Sequence, residues 1–228
     1  MAFTEERSIT CPACGYERME EVWMALDTIT FPFKKWELLN RSMFRHKCLH
    51  CGHEFDMDHD FRYHQPESRE LIWYVRSDEE EKEALDVLAN GKRSGAWDEE
   101  ERRMFDAVTD DYILRVVRSQ KALIEKIMLF DRRRDDRIME IVKILLINQT
   151  MQADPDLTMT GIYYNDDGDR EGFVLVDQEK TIGTIPMQEA LYEKIEKTFA
   201  PSLSPLQARG NYKVDFAWAR SFLAGLDG

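Results

Sequence analysis

The sequence lacks any run of apolar residues approaching the roughly 18 that a membrane-spanning helix needs; stretches such as Ile144 to Ile147 fall far short. It also lacks the charged start and apolar middle of a secretion signal, since nothing apolar of that length precedes Cys11. A cytoplasmic protein without a membrane partner is therefore expected. There are no internal repeats, and there is no Gly-x-Ser-x-Gly elbow, phosphate-binding loop or dinucleotide fingerprint, which removes the commonest signatures of hydrolases and nucleotide enzymes. Positive charge is scarce as well. The net charge is −13, and only residues 112–153 carry an excess of cations, +4, against −3, −8 and −6 for residues 1–76, 77–111 and 154–228. A polyanion would be repelled at long range, so nucleic acid is a disfavoured partner.

What the chain does contain is concentrated at one end. All four cysteines and all five histidines lie before residue 65 of 228. Segment 8–75 alternates short strand-like runs, such as Glu21 to Met24 and Leu71 to Val75, with turn signals, and reads as a β-rich module. Trp36 to Phe44 reads as a short inserted helix with Leu38 and Leu39 facing inward. From Ser77 the period turns helical. Ser77 with Glu80 and Asp98 with Glu101 are capping-box patterns, separated by a Gly-containing loop from Asn90 to Gly95. Leu123, Ile127 and Phe130, then Ile138, Ile141, Val142 and Leu145, recur at helical spacing on either side of Arg132-Arg133-Arg134-Asp135-Asp136. The pattern predicts a helical hairpin or one long helix with a polar girdle. Strands are expected over Leu157 to Tyr164 and Gly172 to Asp177, a helix from near Pro186 to Phe199, and an aromatic last element from Tyr212 to Leu223. The fold class is thus α+β, in three segments: a zinc-ribbon-like β module over 1–76, a helical segment over 77–153 and an α+β region over 154–228.

Two knuckles, Cys11-Pro12-Ala13-Cys14-Gly15 and Cys48-Leu49-His50-Cys51-Gly52, carry the most specific signal. A two-residue spacing lets one tight turn present two sulfurs to one ion, and two such turns complete a tetrahedron. The glycine relieves strain where the backbone curls round the sulfurs. Disulfides do not suit a reducing cytoplasm, and a dithiol redox centre needs only one pair. Spacing favours zinc and leaves iron, as in rubredoxin-like knuckles, as an alternative. With Cys11, Cys14, Cys48 and Cys51 all bound, the ion is closed to substrate, so its expected role is structural.

These knuckles, with His53-Glu54-Phe55 and Phe61-Arg62-Tyr63-His64 after the second, resemble those of the bacterial CpXC-motif proteins. The stretch from Ile124 to Asp131 and on through Asp135 to Leu146 is similar to the helical part of that family. The second knuckle departs from the motif, with Leu49 where a proline is expected; proline only stiffens the turn, so the metal chemistry survives. The resemblance implies the zinc site and the domain layout and carries no activity.

Other groups have blander explanations. His46, His50, His53, His59 and His64, with Asp56, Asp58 and Asp60, could suggest a second metal, but they match no spacing of known mechanism. If Glu54 to Phe61 is one strand, the aspartates simply share its solvated face. His50 and His53 are better placed to support the cysteines than to replace them. Arg132, Arg133, Arg134 and Arg137 read as a paired helix junction, Glu79 to Glu81 and Glu99 to Glu101 as helix starts, and the five tryptophans as core. The function that emerges is an intracellular zinc protein acting on another protein as an interaction module. A cleft enzyme using His59 or His64 is the alternative. Nucleic-acid binding through Lys34, Lys35, Arg45 and Lys47 is a weaker one. Oligomeric state and pathway are not legible.

Overall fold

A computed structural model describes residues 3–90, 109–178 and 180–226. Its contacts divide the chain into two compact units, Met1–Gln120 and Lys121–Gly228. The fold is α+β. The expected helix start at Asp98 and Glu101, the loop from Asn90 to Gly95 beyond its first residue, Trp97 and Glu99 to Glu101 lie outside the described residues.

In the first unit, β1 (Phe3–Thr10), β2 (Glu17–Asp27), β5 (Phe61–Gln65), β6 (Glu70–Tyr74) and β7 (Ile113–Val117) form one sheet in the order β1-β2-β5-β6-β7. A separate ribbon pairs β3 (Arg45–Lys47) with β4 (Glu54–Asp56). The β2–β5 and β6–β7 contacts are parallel and the other two antiparallel. Alternation is visible where one face is covered: in β6, Glu70, Ile72 and Tyr74 are buried and Leu71 and Trp73 only partly so. Strand β7, Ile-Leu-Arg-Val-Val, is buried at all five positions, as a parallel strand covered on both faces should be.

The expected insertion is present as α1 (Lys34–Leu39) followed by a 3-10 turn at Ser42–Phe44; Leu38 is fully buried and Leu39 half-buried. Helix α2 (Asp78–Asn90) starts with the predicted capping box. The Ser77 N–H donates to Glu80 Oε2 at 2.8 Å and the Glu80 N–H returns to Ser77 Oγ at 3.1 Å, satisfying two donors that a helix start leaves open. The single strand considered for Glu54 to Phe61 is not formed. Strand β4 ends at Asp56, the Met57 N–H still donates to the Phe44 carbonyl at 2.8 Å, and the following aspartates are engaged elsewhere: Asp58 accepts from the Tyr74 hydroxyl and Gln120, and Asp60 from the Arg76 N–H.

The second unit opens with a helical hairpin, α3 (Gln120–Asp131) and α4 (Asp136–Ala153), rather than one long helix. Arg133 takes a left-handed φ of 55°, and Asp135 caps α4 by accepting from the Arg137 N–H at 2.9 Å. The arginine run is absorbed internally. Arg132 binds Asp166, Arg134 binds Glu171 and Glu189, and Arg137 binds Asp135 and the Ser204 carbonyl. A three-stranded antiparallel sheet follows, in the order β10 (Lys180–Pro186), β9 (Glu171–Asp177), β8 (Gly161–Asp166), then α5 (Glu189–Phe199) and α6 (Phe216–Leu226). Its core joins Leu129, Ile141 and Leu146 to Ile162, Phe173 and Tyr192. Gly172 has a packing reason: a Cβ there would sit 2.6 Å from the Ile185 carbonyl oxygen across the β9–β10 ladder.

Candidate metal centre

Each cysteine pair sits at the tip of a β-hairpin, the first between β1 and β2 and the second between β3 and β4. The two tips are built alike. The Cys11 N–H donates to the Tyr16 carbonyl at 2.9 Å and the Gly15 N–H to the Cys11 carbonyl at 2.9 Å. In the second, the Cys48 N–H donates to the His53 carbonyl at 2.8 Å and the Gly52 N–H to the Cys48 carbonyl at 2.9 Å. Gly15 and Gly52 take φ of 73° and 74°, a conformation that costs any residue with a Cβ about 1 kcal/mol or more. Register carries the pairs to the tips, with Thr10 opposite Glu17 and Lys47 opposite Glu54. The ribbons are held by a small apolar cluster of Ile9, Val22 and Met24, against which Phe55 and Met57 pack.

All four sulfurs lie within 4.8 Å of one another, with Cys11 to Cys51 at 3.7 Å and Cys14 to Cys48 at 3.6 Å. A disulfide needs about 2.05 Å, so these are four free thiols. A tetrahedral ion with metal–sulfur bonds of about 2.3 Å places its ligands about 3.8 Å apart, and the two cross-hairpin distances match that edge. The donor set fits a thiolate-loving ion such as zinc or iron. Cys11 and Cys48 are buried and Cys14 and Cys51 exposed. Thiols this crowded resist joint ionisation without a cation. The Cys51 and His50 N–H groups outweigh burial and bring Cys48 down to about 6. At Cys14 the Tyr16 N–H lowers the value, but desolvation and the thiols of Cys51, Cys11 and Cys48 together push it up to about 12.

A family model described as CpXC protein matches residues 9–143, more than half of the chain, and contains both knuckles. The chain belongs to the CpXC family. No curated protein and no solved structure matches it. In this CpXC protein the matched region runs from the first ribbon to the middle of α4.

The other candidate residues of the sequence do not join the centre. The His50 ring stacks on Tyr16 at 5.7 Å and that of His53 on Phe55 at 6.1 Å, and neither joins the four-sulfur grouping. Among the described residues the four cysteines are the one grouping of potential ligands. Asp56 is engaged with Arg41 and Arg45, and Asp58 and Asp60 as above. His59 is a core histidine, 2% exposed, with Nε2 2.7 Å from the Trp23 carbonyl; burial lowers its pKa. Lys34 pairs with Glu37, Lys35 with Gln65, Arg45 with Asp56 and Lys47 with Glu54, so the four cations do not form an unpaired strip.

The sequence did not disclose His64's partners. Its Nδ1 lies 2.8 Å from Asp27 Oδ2 and its Nε2 3.3 Å from the Tyr112 hydroxyl. The parallel β2–β5 register aligns Asp27 with His64 although 37 residues separate them. Desolvation raises Asp27, but the Thr30 N–H and His64 outweigh it and hold the carboxyl below the usual range. A carboxylate with a depressed folded pKa stabilises the protein above its unfolded pKa of about 3.9 and loses that contribution as pH falls below it. Asp27→Asn should therefore be less stable than the parent at pH 5, with the gap in urea midpoint closing towards pH 3. Comparing the two at each pH cancels the acid sensitivity of the cysteine site. A gap independent of pH would refute the assignment.

Proposed function

We propose that this CpXC protein is an intracellular zinc-binding interaction module. In this reading zinc has a structural role at Cys11, Cys14, Cys48 and Cys51, and the folded first unit presents a surface to another protein. The observation that carries the metal half is the four-sulfur tetrahedron, which leaves no ligand position for a substrate. Four unpaired thiols suit a reducing compartment. The interaction half is supported by apolar side chains left in solvent on the β2–α1 connection and on α1 itself. Phe33 is 90% and Trp36 70% exposed, with Ile29 and Phe31 beside them in sequence, and Leu49 at the second knuckle is 77% exposed. Large exposed apolar groups gathered in one segment mark association sites more often than solitary ones do.

The test is capture of the tagged protein at its native level from its own host, with nuclease treatment, mass spectrometry and metal analysis of the eluate. The expected result is one zinc per chain and a reproducible protein partner, lost from Phe33→Ser/Trp36→Ser while the zinc stays. A chain without zinc, or one capturing the same proteins with and without those side chains, overturns this reading.

A second reading, an enzyme, is favoured by one observation. The Asp27 carboxylate accepts from Nδ1–H of the partly exposed His64, and the Tyr112 hydroxyl donates to its Nε2, an arrangement suited to moving a proton. Under it, His64→Gln abolishes a turnover; under the leading reading it leaves the partner bound.

A further inference from the structure

Each cysteine hairpin carries one thiol shielded by the fold and one open to solvent. Cys11 and Cys48 are 3% and 5% exposed, whereas Cys14 and Cys51 are in the exposed class. The close sulfur contacts, 3.7 Å from Cys11 to Cys51 and 3.6 Å from Cys14 to Cys48, both run between the hairpins. Each contact therefore joins a shielded thiol to an open one. An oxidant reaches the open sulfur, and the shielded sulfur stands beside it to resolve the product, which is the arrangement that makes thiol oxidation reversible. Reaching the disulfide bond length takes a contraction of about 1.6 Å at either pair. The turns that aim the sulfurs are held by backbone, the Gly15 N–H on the Cys11 carbonyl and the Gly52 N–H on the Cys48 carbonyl, and do not depend on the ion. The partners lie 40 and 34 residues apart, so a bond at either place closes a long loop.

From this geometry we infer that the centre is a peroxide-sensitive switch, in which two disulfides between the hairpins, Cys11 to Cys51 and Cys14 to Cys48, replace the metal as the staple. The Cys51 sulfur attacks one oxygen of a hydroperoxide, the O–O bond breaks, and the other oxygen leaves as water or an alcohol after taking a proton. Cys51 is then a sulfenic acid. The Cys11 sulfur attacks the Cys51 sulfur, the S–O bond breaks, and hydroxide leaves to be protonated to water. Two thiolates lose two electrons and one O–O bond gains them. A second hydroperoxide does the same at Cys14, with Cys48 resolving. Zinc is released because it is held by thiolates, which the disulfides have consumed. The hairpins stay joined, since each bond ties the β1–β2 tip to the β3–β4 tip. Stripping the metal from reduced thiols instead leaves only Ile9, Val22 and Met24, with Phe55 and Met57, to hold them. The thiol reductants of a reducing compartment reopen both bonds and restore the site. This inference adds regulation to the proposed zinc site and rests on that reading.

The test starts from the full-length protein with its metal content measured. Hydrogen peroxide is added to the zinc-loaded chain, released zinc is followed with a chromophoric chelator against a peroxide-free control, and disulfides are mapped by mass spectrometry. One zinc should leave as the four thiols disappear, the bonds should be Cys11 to Cys51 and Cys14 to Cys48, and dithiothreitol with zinc should restore the starting protein. The oxidised, zinc-free protein should resist protease at the hairpins as the loaded one does, while the reduced, chelated protein is cut there. In Cys14→His a histidine supplies the fourth ligand, so the variant loads and folds, and peroxide should yield the Cys11 to Cys51 bond alone. Bonds within a knuckle, Cys11 to Cys14 or Cys48 to Cys51, overturn the proposal. So does oxidation that runs on to sulfinic acid without reversal, or an oxidised form cut as fast as the chelated one. Zinc unmoved by peroxide overturns the switch and leaves the structural zinc standing, whereas a chain isolated without zinc overturns both.

Discussion

Cys11→Ser/Cys48→Ser is expected to emerge from gel filtration with almost no zinc and with its two cysteine hairpins unfolded. These are the two buried ligands, one from each hairpin, so the double change removes half of the tetrahedron and the half shielded from water. The apolar alternative is too small to take over: Ile9, Val22 and Met24 with Phe55 and Met57 form the local cluster. Structural zinc contributes roughly 10–16 kcal/mol of apparent binding free energy in small zinc-finger peptides, far beyond what such a cluster supplies. Limited proteolysis should open the segment from β1 to β5 first. Chelator treatment of the parent should reproduce the effect and added zinc reverse it. Elemental analysis separates zinc from iron, and an iron–thiolate protein would in addition be coloured. A metal-free double variant that stays folded, with the parent's resistance to protease, sinks the structural role.

The cysteine centre was legible because its chemistry is local: each knuckle needs five consecutive residues, and their types announce the turn. The capping box of α2 was legible for the same reason. Two strands were not. Strand β7 is an apolar run interrupted by Arg115, too short for periodicity to tell from a helix, and it becomes a strand only because β6 offers a parallel edge. Strand β10 alternates threonine and isoleucine around Gly183, a weak pattern that gains its structure from pairing with β9. The Asp27–His64–Tyr112 line lay beyond sequence reasoning altogether, since its members meet only through the register of β2 on β5. The arginine run was legible as paired but not as to partners, because these come from β8, β9 and α5 rather than from neighbouring aspartates alone.

The helical pattern of α3 and α4 also concealed their charges. Glu125, Lys126, Asp136, Glu140 and Lys143 are all less than 5% exposed. Lys143 lies 2.8 Å from Glu125 and 2.9 Å from Glu140, Lys126 lies 2.8 Å from Asp136 and 3.5 Å from Glu140, and Glu125 also accepts the Tyr164 N–H at 2.6 Å. Lys143→Met is expected to cost about 3–5 kcal/mol, the range for deleting one member of a buried ion network. It leaves Glu140 with Lys126 alone and Glu125 with a distant charge. Burial already pushes Glu125 up, while Glu125 and Glu140 overcome the burial of Lys143 and keep it protonated. Without Lys143, Glu125 escapes its desolvation by taking a proton in the folded state. Its folded pKa then lies above its unfolded value, so the variant keeps more stability at low pH and loses it as pH rises through the folded pKa. The gap in urea midpoint between parent and Lys143→Met should widen from pH 6 to pH 8. Adding Glu140→Leu removes one of the stranded carboxylates and should recover part of the loss, whereas Glu125→Leu should not, because it orphans the Tyr164 N–H. A loss below 1 kcal/mol with no dependence on pH would show that water reaches these charges and that the network does not hold α3 to α4.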